Sequence, residues 1–101
     1  MGCAMGIKEV TANCGFQQIA TLTTAQPLTL PSDTVGGYKA RVAVIHPEAQ
    51  NIRWRDDGVA PTASVGMRLL VGSELYYDGE LTKLQMIEEA AGAKANVSFY
   101  A

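Results

Sequence analysis

The sequence predicts an all-β fold, a compact antiparallel β-sandwich or jelly roll with a flexible N-terminal arm. Three observations carry that expectation. Short stretches rich in Thr, Val, Ile and aromatic residues alternate with period two, turn-forming residues separate them at nearly regular intervals, and no segment has to be a helix. A chain of 101 residues makes one domain, burying about two-thirds of the surface its unfolded form exposes. No internal repeat or linker divides it.

Residues 1–15 mix Gly, Ala, Lys, Thr and Asn with isolated apolar positions and hold no sustained period, the pattern of an arm. The domain is expected over residues 16–101. "FQQIATLTT" and "QPLTLPS" are expected as two short strands, with Pro27 in the join or on an edge. "SDTVGGYK" is turn chemistry. In "KARVAVIHPEA" the alternation sets Val42 and Val44 against Arg41 and Ala43, and Pro47 is expected to end the strand. "NIRWR" places Ile52 and Trp54 on one face and Arg53 and Arg55 on the other.

"DDGVAPTASVG" is a long connection in which Asp56 and Asp57 accept backbone hydrogen bonds and Gly58 relieves the turn. "MRLLVGSELYYDGEL" is expected as two strands, with Met67, Leu69 and Val71 sharing a face, "VGS" as a tight turn and "YDGE" as a hairpin. The segment after it has two readings. Leu81, Leu84, Ile87 and Ala91 are spaced as on one helix face, with Gly92 as its stop. "LTKLQMI" and "NVSFYA" also suit strands joined by "EEAAGAK", with Val97 and Phe99 inward. Strand is favoured, giving roughly eight or nine strands in all.

Composition narrows function. The formal charge is −2, which does not suit a chain built to neutralise phosphates, so nucleic acid is not an expected partner. No apolar run approaches the roughly 20 residues needed to span a bilayer, and no signal peptide is visible, so membrane is not expected either. The chain is expected to be soluble when made. Cys3 and Cys14 are the only cysteines, too few for a disulfide scaffold or a metal site unaided. They are expected to be passive, or else to link to each other or to a second subunit.

Candidate chemistry is sparse. Adjacent carboxylates in an extended chain point apart, so Asp56 and Asp57 are expected in a solvated turn paired with arginine, not around a metal. The single histidine, His46, suits a polar strand-end residue with a satisfied hydrogen bond. No nucleophile elbow or phosphate loop occurs. Trp54, Tyr76, Tyr77, Phe99 and Tyr100 could form a stacking platform, although such residues more often fill a core or an interface. The expectation is a non-enzyme without cofactor or metal, acting by association. Its interface candidates are Cys3, Cys14, Arg53, Arg55, Asp56, Asp57 and Arg68.

"QNIRWRDDGVAPTASVGMRLLVGSELYYDGEL" followed by "LQMIEEAAGAKANVSFYA" resembles small bacteriophage virion proteins. The shared marks are an Ile-Arg-x-Arg strand, Asp-Gly, Pro-Thr-Ala, Gly-Met, a "GELxY"-like hairpin and a closing Gly-Ala-Lys-x-Asn-Val-Ser-x-Tyr strand. The resemblance covers about the last half of the chain. It implies a β-rich virion component made in the host cytoplasm and carried on the capsid surface, foremost a capsid decoration, or cement, protein. A neck, tail or fibre-attachment component is the alternative, and a carbohydrate-binding module is the reading of another class. The implied partners are the major capsid protein or other virion subunits, with copies of the chain forming a homo-oligomer, a trimer being one form the resemblance implies. Arg53, Arg55 and Arg68 would then meet acidic groups on neighbours.

Overall fold

A computed structural model describes residues 12–31 and 39–101. Among them are eight strands: β1 (Asn13–Ile19), β2 (Gln26–Pro27), β3 (Val42–Glu48), β4 (Ile52–Arg55), β5 (Met67–Leu69), β6 (Leu75–Tyr77), β7 (Gln85–Glu88) and β8 (Lys94–Tyr100). They form two antiparallel four-stranded sheets, ordered β1-β8-β3-β6 and β2-β7-β4-β5. β1 pairs β8, β2 pairs β7, β3 pairs β6 and β4 pairs β5. These are the rungs of one long antiparallel ribbon whose tip is the connection over residues 56–66. Folding the ribbon on itself brings β8 against β3 and β7 against β4. That order is the jelly-roll arrangement.

The inner faces follow from alternation. In β8, Ala95, Val97 and Phe99 are fully buried while Asn96 and Ser98 face outward. Ile45 opposes Val97 on β3, and Ile52 and Met86 supply the facing sheet. Leu22 and Leu84, both fully buried, come from connections and close the sandwich. Ala101 is buried and its N–H donates to the Ala12 carbonyl, so the C-terminal residue is held beside β1.

Several boundaries depart from expectation. Asn13, Cys14 and Gly15, expected in the arm, lie in β1, because β8 offers partners as far as Tyr100. The rest of the expected arm, residues 1–11, and most of the "SDTVGGYK" turn lie outside the described residues. β1 stops at Ile19, and "QPLTLPS" contributes only Gln26–Pro27. Pro47 lies within β3, buried and opposite Ala95. β6 pairs β3 only over Ala43–Ile45, so at Pro47 a ladder exists on one side alone, where a missing N–H is tolerated.

"YDGE" is not a hairpin. β6 and β7 belong to different sheets, and the chain crosses between them through a 3-10 turn, Leu81–Lys83, that buries Leu81. "EEAAGAK" likewise joins sheets instead of closing a hairpin. The helical alternative over residues 81–91 is not realised. Met67 and Leu69 share a face, but only Leu69 is buried, and Val71 lies past the end of β5.

Candidate functional site

The tip of the ribbon gathers most of the residues singled out by sequence. Arg53 and Arg55 project from the outer face of β4, with Arg68 opposite Arg53 on β5. Like charges opposed across a strand pair repel. Glu89, just past β7, relieves that repulsion: its carboxylate accepts from Arg68 Nε at 2.7 Å and Arg68 Nη2 at 3.0 Å, and lies 3.0 Å from Arg53 Nε. Asn51 supports Glu89 through its amide nitrogen and receives the Val71 N–H on its amide oxygen. The Arg68 guanidinium holds the Glu89 carboxyl below its ordinary value, and Glu89 in turn raises that of Arg68.

Arg53 also donates to the Ala63 and Gly66 carbonyls, at 3.1 and 3.0 Å, clasping the connection to the sheet. Arg55 grips Asp57 through two hydrogen bonds, which lower the carboxyl's pKa and raise the guanidinium's. Asp57 additionally accepts from the Val59 N–H. Asp56 turns the other way and accepts the Tyr77 hydroxyl at 2.7 Å. The two carboxylates therefore diverge, and the arginines expected to seek acidic partners on neighbours each have one inside the chain.

Beside the exposed Asp56, Asp57 and Arg68, this region also leaves apolar side chains exposed. Val59 and Val65 stand out from the connection, Met67 on edge strand β5 is 61% exposed, and Leu70 and Val71 follow it. Met67, Val65 and Gly66 line a depression of about 230 Å³ with Arg55, Asp56 and Asp57. Trp54 is not a free stacking surface, since it packs against the core and meets Tyr77 edge-on. Cys14 is half-buried in β1 and packs on the core, with Sγ 3.9 Å from the Ala12 carbonyl oxygen. Cys3 lies outside the described residues.

A second surface lies on the opposite side of the sandwich, on the outer face of the β1-β8-β3-β6 sheet. There a depression of about 520 Å³ is lined by Phe16, Val44, Tyr100 and the polar side chains of His46, Glu74 and Asn96. His46 Nε2 lies 2.9 Å from Glu74 Oε1. The Ser98 hydroxyl accepts from Asn13 Nδ2 at 2.7 Å, so it is engaged with β1 and not with His46.

Comparison with protein families, curated proteins and solved structures found no match.

Chemically, the two surfaces differ. The ribbon tip sets exposed apolar side chains among arginines and carboxylates paired within the chain, which suits adhesion to another protein. The outer face of the β1-β8-β3-β6 sheet mixes aromatic rings with planar hydrogen-bonding groups. Sequence reasoning found Arg53, Arg55, Asp56, Asp57 and Arg68 but missed Glu89, which lay in a segment read as a loop. It also missed Phe16 and Asn96. Alternation in "FQQI" and "NVSFY" marks both as outward, but only the β1–β8 register places them side by side.

Proposed function

We propose that this chain is a structural protein of a bacteriophage virion, a decoration or cement subunit that binds the head lattice and stabilises it. The observation that carries this reading is the exposed apolar group at the ribbon tip, Val59, Val65 and Met67, beside an edge strand and framed by charges already neutralised within the chain. An edge strand offers unpaired backbone groups for a neighbour to meet. Full burial of such a side chain is worth about 1.5–3 kcal/mol, so covering these half-exposed ones gains roughly half of that each, while arginines already paired in the chain bring no unsatisfied charge into the contact. The motifs in Gln50–Leu81 and Leu84–Ala101 that resemble those of small virion proteins are the sequence ground for the same reading. Bridging subunits stabilise a shell because their contacts must break before capsomers separate. In this role the chain performs no covalent chemistry, and copies meet around a local symmetry axis, a trimer at a three-fold point.

The test is reconstitution. Purified chain is mixed with heads lacking it, and bound protein is measured by co-sedimentation. Saturable binding, a raised temperature of head rupture, and loss of both on Met67→Asp support the proposal. Failure to bind heads, or recovery of the protein only with necks or tails, overturns it, the latter in favour of a neck or tail component.

A further inference from the structure

We infer that the outer face of the β1-β8-β3-β6 sheet is a binding site for a neutral oligosaccharide. The registers set two parallel rows across the four strands. Phe16, Ser98, Val44 and Tyr76 stand in line on β1, β8, β3 and β6. Beside them run Gln18, Asn96 and His46, with Glu74 completing the row through its contact with His46. One row is aromatic at its ends, with Phe16 66% and Tyr76 52% exposed. The other is a chain of planar polar groups, in which Gln18 Nε2 donates to Asn96 Oδ1 at 2.8 Å and Asn96 Nδ2 donates to Glu48 Oε1 at 3.0 Å.

Sugars present apolar C–H faces and hydroxyl edges together. Aromatic rings take the first, and fixed amides and carboxylates take the second. Three strand intervals separate Phe16 from Tyr76, a span of about 14 Å, so the strip accommodates several linked sugars lying across the strands. Phe16, Ser98 and Val44 of the first row and Asn96, His46 and Glu74 of the second line, with Tyr100, a depression of about 520 Å³, in the range of small-ligand sites; Tyr76, Gln18 and Glu48 stand outside it on the same face. Hydrogen bonds among Gln18, Asn96 and Glu48 hold the polar groups before a ligand arrives, which reduces the ordering cost of binding.

Charge and polarity select this occupant over others. The lining of the depression pairs one histidine with Glu74 and contains no arginine or lysine, and Lys94, farther along the face, stands opposite Glu48, so a phosphate-rich ligand finds no cluster of cations to anchor it. A second copy packed face to face would bring the polar row into the middle of the contact, where any donor or acceptor not met by the row's own hydrogen bonds costs about 1–3 kcal/mol. Sugar hydroxyls both donate and accept, and so meet that row without such a cost.

This inference rests on one face of the sandwich and is independent of the virion proposal. The test uses the full chain against an array of neutral glucose-, galactose- and N-acetylglucosamine-based oligosaccharides, followed by calorimetric titration with those that bind. Binding is expected, weakened about tenfold or more by Tyr76→Ala and by Asn96→Ala, and unchanged by Met67→Asp. All three positions lie outside the core, and near-UV circular dichroism verifies that each variant folds. Three results overturn the inference: no binding on the array, binding that survives the double variant Phe16→Ala/Tyr76→Ala, or a concentration-dependent dimer abolished by Tyr76→Ala, which would give the face to a second copy.

Discussion

Trp54 on one sheet and Tyr77 on the other meet edge to face across the sandwich, their ring centroids 5.8 Å apart and their planes at 70°. The same tyrosine donates its hydroxyl to Asp56, and its oxygen lies 3.3 Å from the Glu80 carbonyl. One side chain thus ties the two sheets together and fixes the start of the ribbon tip. Tyr77→Phe is expected to cost about 1.5–3 kcal/mol, the range for a hydrogen bond to a charged acceptor. Trp54→Ala removes a half-buried ring and is expected to cost about 2–3 kcal/mol, below the value for full burial. Chemical denaturation of both variants and of the double mutant measures their coupling.

Tyr77 also predicts behaviour in alkali. Burial, then the Asp56 carboxylate, push its phenol up to about 12 from the ordinary 10.0. The folded state holds that proton more tightly than the unfolded chain. The resulting stability is intact below pH 10 and is lost as pH rises through 12. Titration of phenolate absorbance should show a late-ionising phenol that Tyr77→Phe removes. Loss of no late component in that variant would contradict the assignment.

Gly79 is expected to resist substitution for a reason of space. A Cβ there would lie 2.5 Å from the Tyr77 hydroxyl oxygen and 2.7 Å from the ring carbon that bears it. Gly79→Ala must displace Tyr77 from Asp56, at about 1–3 kcal/mol, and should abolish the late phenol titration as well. At Gly92, with φ 98° and open space around it, the same change introduces backbone strain alone. Gly92→Ala should lower stability without touching the tyrosine signal.

Glu89 is the keystone between Arg53 and Arg68. Its carboxyl is held below its ordinary value, so the stability it contributes is present above the unfolded-state pKa and disappears as pH falls through the folded one. Glu89→Gln leaves two arginines opposed across β4 and β5 and should lower the melting temperature at neutral pH. It should also flatten the acid limb of the stability curve. A variant with an acid limb like the parent's would show that Glu89 does not carry it.

The all-β class was legible because alternation is local. "NVSFY" declares its inner face without outside help, as Val97 and Phe99 show. The crossings between sheets were not legible. "YDGE" has the composition of a hairpin turn, but β6 finds its partner in β3, far along the chain, and burial of Leu81 carries the backbone across instead. Of the site, the sequence marked Arg53, Arg55 and Arg68 and an aspartate turn paired with arginine, as Arg55 and Asp57 are, while Glu89, the partner of Arg53 and Arg68, emerged only from register. Arg55 meets an aspartate two residues away, whereas Arg68 meets Glu89 across 21 positions. The two outer faces are likewise products of pairing, since Phe16 and Tyr76 share a row only once β1, β8, β3 and β6 are laid side by side.

The proposed virion role is tested most directly by a density map, at side-chain resolution, of the particle to which the chain would belong. This account predicts the jelly roll at repeating points of the head lattice, with Val65 and Met67 on β5's side pressed against a neighbouring subunit and the β1-β8-β3-β6 face turned outward. A particle without the chain, or one in which the ribbon tip points into solvent, would contradict it.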